Sequence, residues 1–350
     1  MKYIAPNWLP GGNLQTIWPA LVSVRSLMQT RPTTYQRVRW TTPDSDFVDV
    51  DYAYNGEDMP TIGLDDTPPD PKRKKRPLLA LFHGLEGSSA SHYALAFAEV
   101  ARQYGWDYAV PHFRGCSGEI NRAPRAYHSG DYEEIGWMLG QLQAAHAQAG
   151  GGPLLAVGIS LGGNALMRWA QEAGDSASRV VAAVAAVCSP LDLTASGHAI
   201  GQGFNRLIYT RMFLNTMKPK AIARLHLNPG LFDGKALLAS QDLYAFDNVF
   251  TAPLHGFKNT EDYWQRASAK PHMQCIKLPA LALNAINDPF IPAYSLPRAG
   301  EVGRYVTLWH TAHGGHVGYP QGRFPANVLA MPEAVTAWLA GHIQSSPPTR

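Results

Sequence analysis

Cysteine is scarce in this chain, with only Cys116, Cys188 and Cys275 among 350 residues. An odd, scattered set matches neither a disulfide framework nor a zinc-ligand spacing, and it fits a reducing compartment. Long apolar runs are missing as well: no window holds the roughly 18 uncharged apolar residues that a membrane span needs. The opening "MKYIAPNWLPGGNLQTIWPAL" has no charged segment leading into an apolar stretch, so it does not read as a leader. The expectation is a soluble, cytoplasmic protein with no stable membrane insertion. An excess of charge of one sign is also absent, with 30 Lys and Arg against 27 Asp and Glu. Nothing in that balance calls for nucleic acid or an acidic surface as partner. The one basic run, "KRKKR" at 72–76, sits beside "DDTPPDP" and reads as a solvated loop. Neither GxGxxG nor GxxxxGK[ST] occurs, which removes the phosphate-cradling loops, and there is no HExxH; no cofactor and no metal are expected.

What the chain does contain is alternation. "YQRVRW" and "DFVDVDYAY" read as an opening hairpin whose alternating pattern leaves one face partly in solvent. After a polar loop near 56–76 come "PLLALFH", a helical segment, "DYAVPHF", a second helical segment, "LLAVGIS", a third, and "VVAAVAAVC". Continuous apolar strands alternating with helices imply a mostly parallel sheet covered on both faces, with ligands bound at the strand C-terminal ends. With 45% hydrophobic residues the chain can bury one large core, and a single α/β domain over 1–350 is expected. The alternation stops at Ser189 and resumes near Leu278 with "LPALALNA". The interval 189–272 is read as a helical lid inserted in that domain, with Leu207, Ile208, Met212 and Phe213 as its apolar face.

Within "LLAVGISLGG", Ser160 stands between glycines where an apolar strand turns into the helical "NALMRWAQEAG". That is the setting of a nucleophile elbow, in which a strained turn exposes the serine Oγ above the sheet. GxSxG alone is a weak signal in a chain with 32 glycines, so its context decides. A serine hydroxyl needs a general base, and the base needs an orienting group. On such a sheet the expected chain order is Ser, then Asp or Glu, then His. From residue 271 onward the acids are Asp288, Glu301 and Glu333. Asp288, in "LALNAINDPFIP", follows an apolar strand and so emerges at the same sheet edge as Ser160. Glu301 precedes a strand and belongs at the opposite edge, and Glu333 opens the terminal helix. For the base, His313 and His316 both lie in "HGGHVGY" beyond the strand "RYVTLWH", and spacing does not choose between them.

Acyl transfer also needs donors for an oxyanion, commonly two backbone N–H groups. Leu161, immediately after the serine, is one candidate; Leu85, in "LFHGLEGSS" after an earlier strand and shaped by His83 and Gly84, is the other. In "HFRGCSGE", Arg114 and Glu119 are read as a turn-stabilising pair, and Cys116 as a small packed residue rather than a nucleophile.

Taken together, "PNWLPGGNLQTIWPAL", "HGLEGSS", "HFRGCSGEINRAPRAYHSGD", "GISLGGNALMRW", "YAFDNVFTAPLHGFKNTEDYW", "NDPFIP" and "HGGHVGY" resemble the α/β-hydrolase superfamily, and within it the YheT-type branch, bacterial relatives of the ABHD lipid and ester hydrolases. The resemblance implies the α/β-hydrolase fold and a triad of Ser160, Asp288 and His316, the second histidine of "HGGH" being the base. It also implies a serine carboxylesterase acting on a small-molecule acyl ester. Acyl transfer to a small alcohol and lipid or phospholipid hydrolysis are the neighbouring readings, and a hydrolase-fold binding protein without turnover is the reading from another class.

Overall fold

A computed structural model describes residues 1–23, 33–54 and 75–343. The polar loop near 56–76 and most of the basic run at 72–76 lie outside the described residues. The expected strands form one eight-stranded sheet: β1 (Gln36–Thr41), β2 (Phe47–Ala53), β3 (Leu78–Phe82), β4 (Asp107–Pro111), β5 (Leu154–Ile159), β6 (Ala183–Val187), β7 (Ala280–Ala285) and β8 (Val306–Thr311). Their spatial order is β1-β2-β4-β3-β5-β6-β7-β8. The contacts of β1 with β2 and of β2 with β4 are antiparallel, and every other neighbouring pair is parallel. Strands β3 to β7 are buried along their whole length, which is why they read as unbroken apolar runs.

Helices cover both faces. On one, α3 (Tyr132–Gln148) and α4 (Leu161–Ala173) bring Ile135, Met138, Leu139, Leu166 and Trp169 against the sheet. On the other, α2 (His92–Gln103) and α10 (Ala330–Ala340) supply Phe97, Ala101, Val335 and Leu339. A short helix, α1 (Gly12–Trp18), precedes the sheet. The step from β4 back across β3 to β5 places α3 on the face opposite α2, and this reversal opens a crevice at the C-terminal ends of β3 and β5.

Between β6 and β7 the chain is helical: α5 (Leu193–Ile200), a continuous stretch from Gly203 that ends in α6 (Arg211–Leu227), then α7 (Gly234–Ala239), α8 (Leu243–Val249) and α9 (Thr260–Ala267). The sequence marks four of these starts, because Asp192, Asp233, Asp242 and Asn259 each accept a hydrogen bond from a first-turn N–H. The base of the insertion is tied to the sheet layer by buried Asn164, whose Nδ2 donates to the carbonyls of Ser129 and Ala267 while Oδ1 accepts from Ala269 N–H. Of the expected apolar face, only Phe213 turns inward. Leu207, Ile208 and Met212 are exposed, because Tyr209, Thr210 and Leu214 occupy the inner side of that helix.

The partly solvated face expected of the first hairpin is found on β1, whose residues alternate between half-buried and exposed. β2 is not half-solvated: Asp49 and Asp51 are buried. Each lies directly opposite an arginine of β1 and is gripped by it, Arg39 on Asp49 and Arg37 on Asp51. The loop after β4 closes over that polar face, with Ser117 Oγ donating to Asp49 and His112 Nε2 lying 2.9 Å from Asp51. Arg114 and Glu119 are not partners either. Arg114 reaches Asp44 and Glu134, while Glu119 pairs with Arg39. The "HFRGCSGE" stretch is thus a fastener between the hairpin and α3, and the alternation of β2 is a buried ion-pair ladder whose partners lie far away in sequence.

Burial raises the proton affinity of Asp51, but Arg37, His112 and Ser89 outweigh that and hold it well below the usual carboxylate range. Removing one side of such a pair leaves buried polar groups without a counterpart. Asp51→Ala is expected to lower the unfolding free energy by about 3 kcal/mol, read as the shift in urea midpoint; an unchanged midpoint would mean that the ladder contributes nothing to stability.

Candidate active site

Ser160 sits between β5 and α4 at φ 52°, ψ −119°. Two glycines make the turn passable. A Cβ on Gly163 would lie 1.9 Å from Ser189 Oγ and 2.7 Å from Gly158 O, and one on Gly162 would lie 2.5 Å from the carbonyl oxygens of both Phe82 and His83. With hydrogens at those positions, α4 starts close against β3 and β5. Ser160 N–H donates to Val187 O at 2.9 Å, so the neighbouring strand β6 also holds the turn.

The parallel register sets Phe82 opposite Gly158, and two residues further along Gly84 comes beside Ser160. Leu85 follows at the wall of the same cleft. Its turn is pinned by His83, which is fully buried: Nδ1–H donates to Gly84 O at 2.8 Å and Nε2 accepts from Phe113 N–H at 3.1 Å. Burial, helped by neighbouring His112, pushes the His83 pKa down to about 3, so the ring stays neutral and this pair of bonds persists. Gly84 N–H is engaged by Tyr93 Oη and Glu86 N–H by Tyr127 Oη. Among the described residues, the amides of Leu85 and Leu161 have no such acceptor, and both residues line the cleft with Ser160.

Of the two histidines, geometry selects one. His313 is exposed, and among the described residues only its carbonyl is engaged, by Thr311. His316 turns its Nε2 to Ser160 Oγ at 3.0 Å and its Nδ1 to Asp288 Oδ2 at 2.8 Å. Because a carboxylate only accepts, Nδ1 carries the proton and Nε2 offers its lone pair to the hydroxyl. The Asp288 side chain is shut off from solvent, and its other oxygen accepts from Phe290 N–H at 2.8 Å. The Phe290 ring packs on the imidazole with centroids 4.2 Å apart. Glu301 instead receives Arg298 N–H on an exposed turn, and Glu333 lies in the first turn of α10. Cys116 has its thiol pushed up to about 12 by burial, which removes the thiolate a nucleophile needs.

Residues that carried no role in the sequence reading complete the site. Gln15 Oε1 accepts from both Asn287 Nδ2 and Gly314 N–H, each at 3.0 Å, while Asn287 Oδ1 accepts from Gly315 N–H. Thr16 Oγ1 accepts the backbone N–H of His316 at 2.8 Å and donates to Gly12 O. The approach is close: a Cβ on Gly318 would lie 1.8 Å from Gln15 O. Helix α1 therefore clasps the two loops that carry Asp288 and His316. The available signal was a Gln-Thr pair flanked by apolar residues in "LQTIW", and both side chains are buried.

Above these residues opens a cleft continuous with solvent. Its walls are mostly apolar and come largely from the insertion: Ile200, Phe213, Met217, Leu243, Phe246 and Phe250.

Residues 77–322 match the family described as alpha/beta hydrolase fold. The chain is 35% identical over 346 residues to YheT of Escherichia coli (strain K12), covering 98% of this chain and 94% of that protein. It is 24% identical over 324 residues to the phospholipase ABHD3 of Homo sapiens, covering 92% and 75% respectively. Among solved structures, the Pyrococcus furiosus esterase Pf2001 superposes with a TM-score of 0.52 at 14% identity, covering 98% of this chain and 96% of that one, a likeness of fold.

The clasp predicts that Thr16→Val, nearly isosteric but without an acceptor for His316 N–H, lowers kcat on a p-nitrophenyl ester by about 10–100-fold with little change in KM. Thr16→Ser should restore most of it. Equal behaviour of the two variants would reduce Thr16 to packing.

Proposed function

Given that the chain belongs to the α/β-hydrolase-fold family, we propose that it is an esterase/lipase-type enzyme, a serine carboxylesterase working through Ser160, His316 and Asp288. The observation that carries this reading is the unbroken line of hydroxyl, imidazole and buried carboxylate, at 3.0 and 2.8 Å, beneath an apolar cleft. The esterase name of YheT and the phospholipase name of ABHD3 support ester cleavage as the chemistry.

Ser160 Oγ attacks the ester carbonyl carbon as His316 Nε2 takes its proton. The carbonyl oxygen becomes an oxyanion held by the N–H groups of Leu85 and Leu161. When the intermediate collapses, the carbon–oxygen bond to the alcohol breaks, the same nitrogen returns the proton to the departing oxygen, and the acyl group stays on Ser160. Water, deprotonated by His316, then attacks the acyl-enzyme; the carboxylic acid leaves and the serine hydroxyl is restored. Throughout, Asp288 accepts from Nδ1–H, which keeps Nε2 facing Ser160 and offsets the imidazolium charge. The segment 189–272 acts as a lid within the single domain 1–350, its inward side chains receiving the apolar acyl chain.

Purified protein should hydrolyse p-nitrophenyl esters and take a fluorophosphonate label on Ser160. Ser160→Ala and His316→Ala should each lower kcat by about 10⁴-fold or more, and His313→Ala should stay near wild type. Wild-type protein that neither labels nor turns over would instead be a binding protein. Added ethanol that diverts the product from acid to ethyl ester would assign acyl transfer.

A further inference from the structure

Two long stretches of the chain, residues 1–43 and 193–232, lack negative charge, and the second belongs to the insertion between β6 and β7. From Leu193 to Phe232 there is no Asp or Glu, while Arg206, Arg211, Lys218, Lys220 and Arg224 all occur. The helical stretch from Gly203 through α6 runs through the middle of this segment, and its two sides differ. The inner side buries Tyr209 and Leu214 and presents Phe213 and Met217 to the cleft. The outer side leaves large apolar side chains in solvent: Phe204 is 51% exposed, Leu207 56%, Ile208 43% and Met212 52%. Interleaved with them are Arg206 and Arg211, both exposed; Arg206 Nη2 donates to Gln241 Oε1 at 2.9 Å, and among the described residues no carboxylate pairs with either arginine.

We propose that this outer face docks the protein peripherally on an anionic lipid surface. An apolar stripe flanked by unpaired cations meets its complement where hydrocarbon and anionic headgroups lie within one helix radius of each other, at the interface of a bilayer. No helix among the described residues is long and apolar enough to cross a membrane, so the attachment is a surface one. Its position matters. Tyr209 hydrogen-bonds Asn13 of α1 at 3.0 Å and stacks edge-on to Phe290, the ring that packs on His316. The docking face is therefore the outside of the roof over the candidate active site. This surface is defined without reference to turnover, so its test stands whether or not the esterase reading holds.

The experiment is co-sedimentation of the full chain with sucrose-loaded vesicles of phosphatidylcholine alone, or with about one-third phosphatidylglycerol, a content that gives a substantial negative surface potential. Partition should rise by about tenfold or more with the anionic lipid at low salt and fall back at high salt. Arg206→Glu with Arg211→Glu should lower it by a similar factor, as should Leu207→Asp with Ile208→Asp, with circular dichroism unchanged because all four side chains are exposed. Equal partition into both vesicle types, or undiminished binding by both double variants, would overturn the proposal. So would sedimentation velocity showing a wild-type dimer that the same variants disperse, since a second copy would then be the occupant.

Discussion

Ser160 is held in a backbone conformation that a residue with a side chain rarely adopts, at φ 52° and ψ −119°. Such strain persists only where the surroundings leave no cheaper arrangement. Here Ser160 N–H is taken by a β6 carbonyl, Ser160 O receives the N–H groups of Gly163 and Asn164, and the first turn of α4 presses against the end of β3. The constraint propagates outward. A close fit between α4 and β3 brings the Leu85 turn beside the hydroxyl, and the buried neutral His83 fixes the direction in which that turn presents its amide. The central parallel strands are thus a frame that holds one hydroxyl and two backbone donors in a fixed relation, without relying on any flexible side chain.

The other half of the site is built differently. Asp288 and His316 come from the loops after β7 and β8, and the second of these passes through Gly314 and Gly315, a segment with little stiffness of its own. Its order is supplied by α1, through Gln15 and Thr16, across about 300 positions of sequence. Loop-closure entropy grows only logarithmically with the length of intervening chain, so a remote segment is nearly as economical a clasp as a near one. The N-terminal helix is accordingly part of the site rather than an appendage to the sheet.

Those two constructions differ in how much of them could be seen in advance. The strands, their burial, the elbow and Asp288 were legible because each is written locally: an apolar run, a glycine-flanked serine, an acid just past a strand. The split between His313 and His316 was not local, and required either a family resemblance or the geometry, since which imidazole turns inward depends on the α1 clasp. For the same reason Gln15, Thr16 and Asn287 went unread. The buried ladder of Arg37, Arg39, Asp49 and Asp51 shows the opposite failure, in which polar alternation along β2 suggested solvent while the loop after β4 covers it. Leu207, Ile208 and Met212 were apolar and helical as expected, but hydropathy alone does not say whether such a face turns toward a core or away from it.

If Asp288 sets the tautomer and offsets the charge of His316, replacing its carboxylate by an amide of the same size should disable the hydroxyl–imidazole pair while leaving the fold in place. The decisive measurement is kcat of Asp288→Asn on a p-nitrophenyl ester, with circular dichroism as the check on folding. The expected fall is about 10⁴-fold, the scale seen for the equivalent change in a serine protease, whereas near-normal turnover by a folded variant would mean that another group orients His316 and that the line from Ser160 to Asp288 is not the catalytic one.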